Sequence, residues 1–189
     1  MYKAIIFDFF GVIYSDPANR WFQKHDIERT GEYADIFKQV DHGFITLEKA
    51  FNELAKLSGQ PADDIRSVFG QTDMIDHEVV EIINNLKQNY KIGLLSNASS
   101  GYLRKLLHEN SLDILFDNLV ISSEVGMIKP NPAIFEIAMD NLGVEPKESI
   151  FIDDWPNNVS AARELGLQGI VFSNALDLKE NLESLGIKI

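Results

Sequence analysis

From about Asp76 to the C terminus, strand-length apolar runs alternate with helix-length amphipathic ones, and that alternation limits the fold more than any other feature. The runs Lys91–Ser96, Leu119–Ser122, Ser149–Ile152 and Gln168–Phe172 each follow a helical pattern: Asp76–Gln88, Ser100–Asn110, Pro132–Leu142 and Asn157–Leu165. Leu176–Leu185 closes the chain as one more helix. Strands separated by helices do not pair as hairpins; they line up in parallel with helices on both faces. An earlier run, Lys3-Ala4-Ile5-Ile6-Phe7-Asp8-Phe9-Phe10, is apolar without alternation and ends at Gly11. That pattern fits a strand buried on both faces. The expected core is an α/β, doubly wound parallel sheet.

Between the first strand and the alternating region, about Ser15 to Met74, the pattern is helical throughout. Ala18–Ile27, Glu32–Val40 and Pro61–Phe69 read as helices. Thr46 caps another, whose apolar face is Leu47, Ala50, Phe51, Leu54 and Leu57, with Gly59 past its end. The simplest organisation is a core of 1–14 and 75–189 with a small all-helical unit, 15–74, inserted after the first strand. Trp21, Phe22 and Phe37 are expected in the core of that unit.

Composition removes several function classes. The 189 residues include no Cys, which excludes disulfides, thiolate metal sites and a cysteine nucleophile. Lys and Arg total 17 against 29 Asp and Glu, a net charge of −12. Such a field repels nucleic acid and anionic membranes, so any bound anion needs a local site. No apolar run approaches the ~20 residues of a membrane span. No secretory cleavage pattern follows the start, and a cytoplasmic protein is expected. The sequence leaves the oligomeric state open.

In doubly wound sheets ligands bind beyond the carboxyl ends of the strands, and the unusual polar residues fall there. Asp8 ends the first strand beside Gly11, placed to be a nucleophile or a metal ligand. Ser96-Asn97 ends the Lys91–Ser96 strand; its hydroxyl and the following N–H groups make an anion seat. Lys129-Pro130 holds one cation beside rigid prolines. Asp153-Asp154 ends the Ser149–Ile152 strand, and adjacent carboxylates call for donors or a hard cation such as Mg²⁺. Each feature alone is ordinarily a cap or a solvated loop residue. Together, in this order and each at a strand-to-helix junction, they form a site.

The set resembles the haloacid dehalogenase-like superfamily across essentially the whole chain. Phe7-Asp8-Phe9-Phe10-Gly11-Val12-Ile13 resembles its first motif, Leu94-Leu95-Ser96-Asn97 its second and Lys129-Pro130 its third. Ile150-Phe151-Ile152-Asp153-Asp154, with Asn158 and Ala161–Gly166, resembles its fourth. The run Ser122–Pro130 is similar to the branch holding glucose-1-phosphate-type phosphatases and the amino-terminal domain of bifunctional epoxide hydrolases. Gly43–Glu48 resembles a stretch of that branch's helical cap. The resemblance implies a Rossmann-like core and a Mg²⁺-dependent phosphatase acting on a small phosphorylated metabolite, sugar phosphates among them. Asp8 would form an aspartyl phosphate. Mg²⁺ would bind Asp8, Asp154 and the Phe10 carbonyl, with Asp153 a direct or indirect ligand. Ser96, Asn97 and Lys129 would hold the phosphate, and Gly11, Asn97 and Asn158 would order the loops.

One position departs from the pattern. Phosphatases of this family usually carry a second Asp two residues after the nucleophile, as general acid and base; here it is Phe10. A well-placed acid/base is worth ~10²–10⁴-fold in rate. Three readings stay open: a phosphatase for good leaving groups, or with a substitute acid from Asp16, His25 or His42; a metal-independent 2-haloacid dehalogenase, in which an aromatic residue stands here; and a binding or regulatory module with weak turnover. Trp155-Pro156 either flanks the substrate opening or packs the loop.

Overall fold

The computed structural model describes residues 1–71 and 74–189; residues 72 and 73, near the end of the expected insertion, lie outside the described residues. Five parallel strands form one sheet: β1 (Ala4–Phe7), β2 (Lys91–Ser96), β3 (Asn118–Ile121), β4 (Ser149–Asp153) and β5 (Gln168–Val171). Their spatial order is β3-β2-β1-β4-β5. The chain leaves central β1 toward β2 and β3, then returns to build β4 and β5 on the other side. The direction of winding therefore reverses between β1 and β4, the place where such sheets bind ligands.

Both faces of the sheet are covered, which explains the continuous apolar runs. Ile5, Phe7, Ile92, Leu94, Ile150 and Ile152 enter one core. That core is shared with helices α5 (His77–Leu86), α6 (Ser100–Glu109) and α10 (Ala175–Ser184). Ala4, Ile6, Leu95 and Phe151 point the other way, into a second core under α8 (Pro132–Leu142) and α9 (Pro156–Glu164). β1 is shorter than its apolar run. After Asp8 the chain leaves the sheet, and the N–H groups of Ile13 and Tyr14 fold back onto the Phe9 carbonyl at 2.9 and 3.0 Å. Phe9 stays fully buried and stacks on Tyr14, so its hydrophobicity serves a turn and not a strand. A one-turn helix, α7 (Ser122–Val125), begins where β3 was expected to end. Elsewhere the helix ends agree with expectation or lie within three residues of it, and α8 coincides with it at both ends.

Between β1 and α5 lie α1 (Pro17–Lys24), α2 (Gly31–Asp41), α3 (Leu47–Ser58) and α4 (Ala62–Phe69). Asp16 caps α1 by accepting from the N–H groups of Ala18 and Asn19, and Thr46 caps α3 through the Lys49 N–H. The four helices share their own core of Trp21, Phe22, Phe37, Phe51, Leu54 and neighbours. Each such side chain contributes ~1.5–3 kcal/mol by its burial. The cluster is tied over the carboxyl edge of the sheet by polar bonds. Tyr102 Oη donates to the Phe69 carbonyl at 2.9 Å, and Ser122 Oγ to the Asp41 carbonyl at 2.6 Å. Among the described residues no helix is long and apolar enough to cross a membrane.

Leu54 is wholly buried in the four-helix cluster, away from the strand edge. Leu54→Ala is expected to cost about 2–5 kcal/mol through lost burial and the cavity left behind. Urea denaturation checks this; a loss below about 0.5 kcal/mol, the size of a surface substitution, would mean the four helices do not pack as described.

Candidate active site

The strand ends bring Asp8, Lys129 and Asp153 into one buried network. Lys129 Nζ donates to Asp153 Oδ2 at 2.6 Å and lies 2.9 Å from Asp8 Oδ1. It also sits 5.4 Å from the Phe151 ring centroid, a cation–π contact. All three residues are buried. Burial alone pulls the Lys129 ammonium toward neutrality, but Asp153 and Asp8 outweigh it and raise its pKa, so the lysine stays charged. Asn97 holds this lysine by its main chain: Lys129 N–H donates to Asn97 Oδ1 at 2.8 Å, and Asn97 Nδ2 donates to the Lys129 carbonyl at 3.1 Å.

The two adjacent acids have different surroundings. Asp153 Oδ1 accepts from the Trp155 N–H at 2.8 Å, and Asn158 Nδ2 reaches both its oxygens at 3.1 and 3.0 Å. With Lys129 added, Asp153 is fully engaged. Asp154 Oδ1 is buried and has no partner among the described residues. Asp8, Asp153 and Asp154 each present an oxygen within 4.8 Å of the others. Gly11 makes the Asp154 position possible: its φ is +86°, and a Cβ there would stand 2.4 Å from Asp154 Oδ2. Burial, opposed by Lys129 and reinforced by Asp153, raises the Asp8 carboxyl well above its usual range. Burial and then Asp153 push Asp154 up to about 6. No hydrogen bond among the described residues ends on the Phe10 carbonyl. Three crowded carboxylates against one ammonium, an unpartnered oxygen and a free carbonyl make a donor set that fits a hard divalent cation.

A cavity of about 390 Å³ opens between these strand ends and the inserted helices, walled by Asp8, Phe10, Arg29, Phe37, Asp41 and Trp155 among others. Trp155 is 50% exposed, so it flanks the opening. Phe10 lies stacked on Tyr102, ring centroids 6.0 Å apart, and adds an apolar wall beside the nucleophile candidate. A larger, more open cleft of about 670 Å³ runs between Gly11–Arg20 and Met74–Glu78. None of Asp8, Lys129, Asp153 and Asp154 lines it, so the chemistry selects the smaller cavity.

Some expected residues are placed otherwise. The anion seat after Ser96 is partly filled, because the Ala98 and Ser100 N–H groups already donate to the hydroxyls of Ser122 and Ser123 at 2.9 Å. Asn97, expected at the phosphate, spends both ends of its amide on the Lys129 backbone. Ser96 Oγ, at the end of β2, is buried with no partner among the described residues, and it does not line the cavity wall. Of the substitute acids, His25 pairs with Asp64 at 2.6 Å within the inserted helices, and His42 Nδ1 lies 3.2 Å from the Gly126 carbonyl. Asp16 does line the cavity, but its oxygens accept from Ala18, Asn19 and Arg29. Arg29, Lys38 and Asp41 of the wall were not singled out in the sequence. Only Asp41 left a local signal there: an acid on the last residue of a helix, where the dipole opposes it.

Fold and site together define a parallel α/β sheet protein with a buried carboxylate–lysine cluster at the carboxyl edge of its strands. The model of the haloacid dehalogenase-like hydrolases matches residues 2–166, and the chain belongs to that family. Drimenol cyclase drtB of Aspergillus calidoustus is 26% identical over 194 residues, which cover 98% of this chain and 37% of that protein; this chain thus spans little more than a third of its length. D-ribitol-5-phosphate phosphatase of Bacteroides thetaiotaomicron is 26% identical over 200 residues, covering 96% of this chain and 97% of the relative. A HAD-family enzyme from the same organism, solved as an aspartate-to-alanine mutant in complex with magnesium and inorganic phosphate, matches with a TM-score of 0.72 at 25% identity. That match covers 92% of this chain and 95% of the other.

Removing the ammonium leaves two buried carboxylates facing each other. Lys129→Met is expected to destabilise the protein by about 3–5 kcal/mol, the cost of breaking a buried ion pair from one side. Adding Asp153→Asn should restore part of it. Denaturation curves of the three proteins check this, and an unchanged midpoint for the single variant would contradict the pairing.

Proposed function

We propose that this chain is a Mg²⁺-dependent phosphatase that cleaves a small phosphorylated metabolite through an aspartyl phosphate on Asp8. One observation carries the reading: an Asp154 carboxylate, one of whose oxygens is buried with no partner among the described residues, lies near the Asp8 carboxylate, where Lys129 is already shared between Asp8 and Asp153. Such a site is short of positive charge until a cation enters. The relatives support the same reading, one being named as a sugar-alcohol phosphate phosphatase and one having been solved with magnesium and phosphate.

The residues take the following parts. Asp8, Asp154 and the Phe10 carbonyl would hold Mg²⁺, while Asp153 is saturated by donors and acts by fixing Lys129 and the loop after β4. When bound, Mg²⁺ supplies neutralisation of the carboxylates and of the phosphoryl oxygens. Phe9 N–H, at 2.7 Å from Asp8 Oδ1, and Lys129 fix the rotation of the Asp8 carboxylate. Asp8 attacks phosphorus in line, the bond to the leaving oxygen breaks, and water then cleaves the acyl phosphate. Lys129 steadies the phosphoryl oxygens as charge redistributes. Asn97 and Asn158 position Lys129 and Asp153. In this reading 1–14 and 75–189 form the catalytic core. The 15–74 unit is a cap whose closure excludes water and reads the rest of the substrate. The setting is cytoplasmic, and neither nucleic acid nor membrane is a partner.

The test is a panel of phosphate esters assayed with Mg²⁺ or EDTA beside 2-haloacids. Phosphate release that needs Mg²⁺ and disappears in Asp8→Asn is the expected result. Halide release indifferent to EDTA would replace this reading with a dehalogenase, which the aromatic Phe10 would suit. Intact Mg²⁺ binding with no turnover would make the chain a binding module. Gly11→Ala is expected to weaken Mg²⁺ by about 10–100-fold in a calorimetric titration, the scale of losing a supporting contact to a ligand.

A further inference from the structure

A phosphatase with Phe10 in place of the usual acid still has to protonate its leaving group. The acid must face the Asp8 cavity, carry a carboxyl or imidazole not already bonded, and be able to hold a proton near neutral pH. Two acidic side chains besides Asp8 line that cavity, Asp16 and Asp41. Asp16 is spent on two backbone N–H groups and on Arg29. Asp41 is the last residue of α2. Its carbonyl is taken by Ser122 Oγ, which anchors the backbone to the core, but no hydrogen bond among the described residues reaches its carboxyl.

We infer that Asp41, reaching in from the inserted helices, is the general acid and base of this site, a role that rests on the phosphatase reading. As Asp8 bonds to phosphorus and the ester P–O bond breaks, the Asp41 carboxyl gives its proton to the departing oxygen. The resulting carboxylate then takes a proton from the water that attacks phosphorus. The Asp8–phosphorus bond breaks, inorganic phosphate leaves, and Asp41 is again the acid. The environment keeps the proton on Asp41 beforehand. Burial first, Asp16 second, push it up to about 7 against the pull of Arg29 and Lys129. The negative end of the α2 dipole acts in the same direction. Other charges around it are Asp8 and Lys38 of the cavity wall. Of the elements packed on α2, α3 places no charge in that wall, and Glu124 of α7 is turned to Arg104 at 2.6 Å.

The test compares wild type and Asp41→Asn on two esters, 4-nitrophenyl phosphate and glycerol 2-phosphate, with saturating Mg²⁺. Nitrophenolate leaves without protonation, whereas an alkoxide does not. Asp41→Asn is expected to lose ~10²–10⁴-fold in kcat on glycerol 2-phosphate and less than about tenfold on the nitrophenyl ester. Wild-type kcat/KM on the alkyl ester should fall above about pH 7, and the variant should lack that limb. A carboxyl ¹³C resonance titrating near 7 should vanish in the variant. The folded acid holds its proton more tightly than the unfolded chain does. Its ionisation therefore removes stability as pH rises from about 4 to 7, and the variant should gain on wild type across that range. Equal losses on both esters, or none on the alkyl ester, would overturn the assignment while leaving the phosphatase reading intact. A wild-type protein inert to both esters would overturn both.

Discussion

Everything at the catalytic edge hangs on one buried ammonium. Lys129 sits between Asp8 and Asp153, and without it β1 and β4 would end in two carboxylates with little water to screen them. Burying such ions costs several kcal/mol each unless geometry and donors compensate. Here the compensation is specific. Phe9 N–H serves Asp8, Trp155 N–H and Asn158 serve Asp153, and Asn97 fixes the lysine's own backbone. Four separate chain segments are thereby held to one point. The arrangement also explains why one of two adjacent acids is left over: Asp153 absorbs the available donors, and Asp154 Oδ1 has no partner among the described residues.

Legibility in the sequence followed the physics of each feature. The sheet was readable because strands buried on both faces give uninterrupted apolar runs, and because helical periodicity separates them. The inserted helices were readable because Thr46 caps and Gly59 terminates one of them, and because Leu47, Ala50, Phe51 and Leu54 recur at helical spacing. Boundaries were less so. Phe9 and Phe10 extend an apolar run past the last strand residue because a turn next to a packed core is as hydrophobic as the strand before it. The short α7 was hidden because four residues carry no period.

At the site, residue identity marked candidate groups, but not the surroundings each of them has. Asp153 and Asp154 are equivalent in sequence; only the donors from Trp155, Asn158 and Lys129 distinguish them. Ser96-Asn97 looks like an anion seat until Ser122 and Ser123, from another strand end, occupy the N–H groups. Asp41, Arg29 and Lys38 went unnoticed because nothing local in the sequence ties the inserted helices to the strand edge. Their contribution depends on how that unit is docked, through contacts such as Tyr102 to Phe69 and Gly43 against Ser123, where a Cβ would come within 2.9 Å of a carbonyl.

If Asp41 is the acid, its place on the inserted helices, and not two residues from the nucleophile, ties proton delivery to the way that unit is docked. An acid on the nucleophile's own turn is in position whether or not the cavity is shut. One on α2 is aligned only when α2 sits against α7, where Ser122 holds the Asp41 carbonyl. Proton delivery then becomes conditional on docking, and a substrate that fails to let the helices settle meets Asp8 without an acid. Water entering an open cavity would meet the same deficiency, which limits wasteful cleavage of the acyl phosphate. Phe10 fits this division of labour. Its ring fills the place next to Asp8 and packs on Tyr102, whose hydroxyl in turn ties the core to α4 at Phe69. The residue that stands where the usual acid would be thus helps build the apolar wall beside the inserted helices.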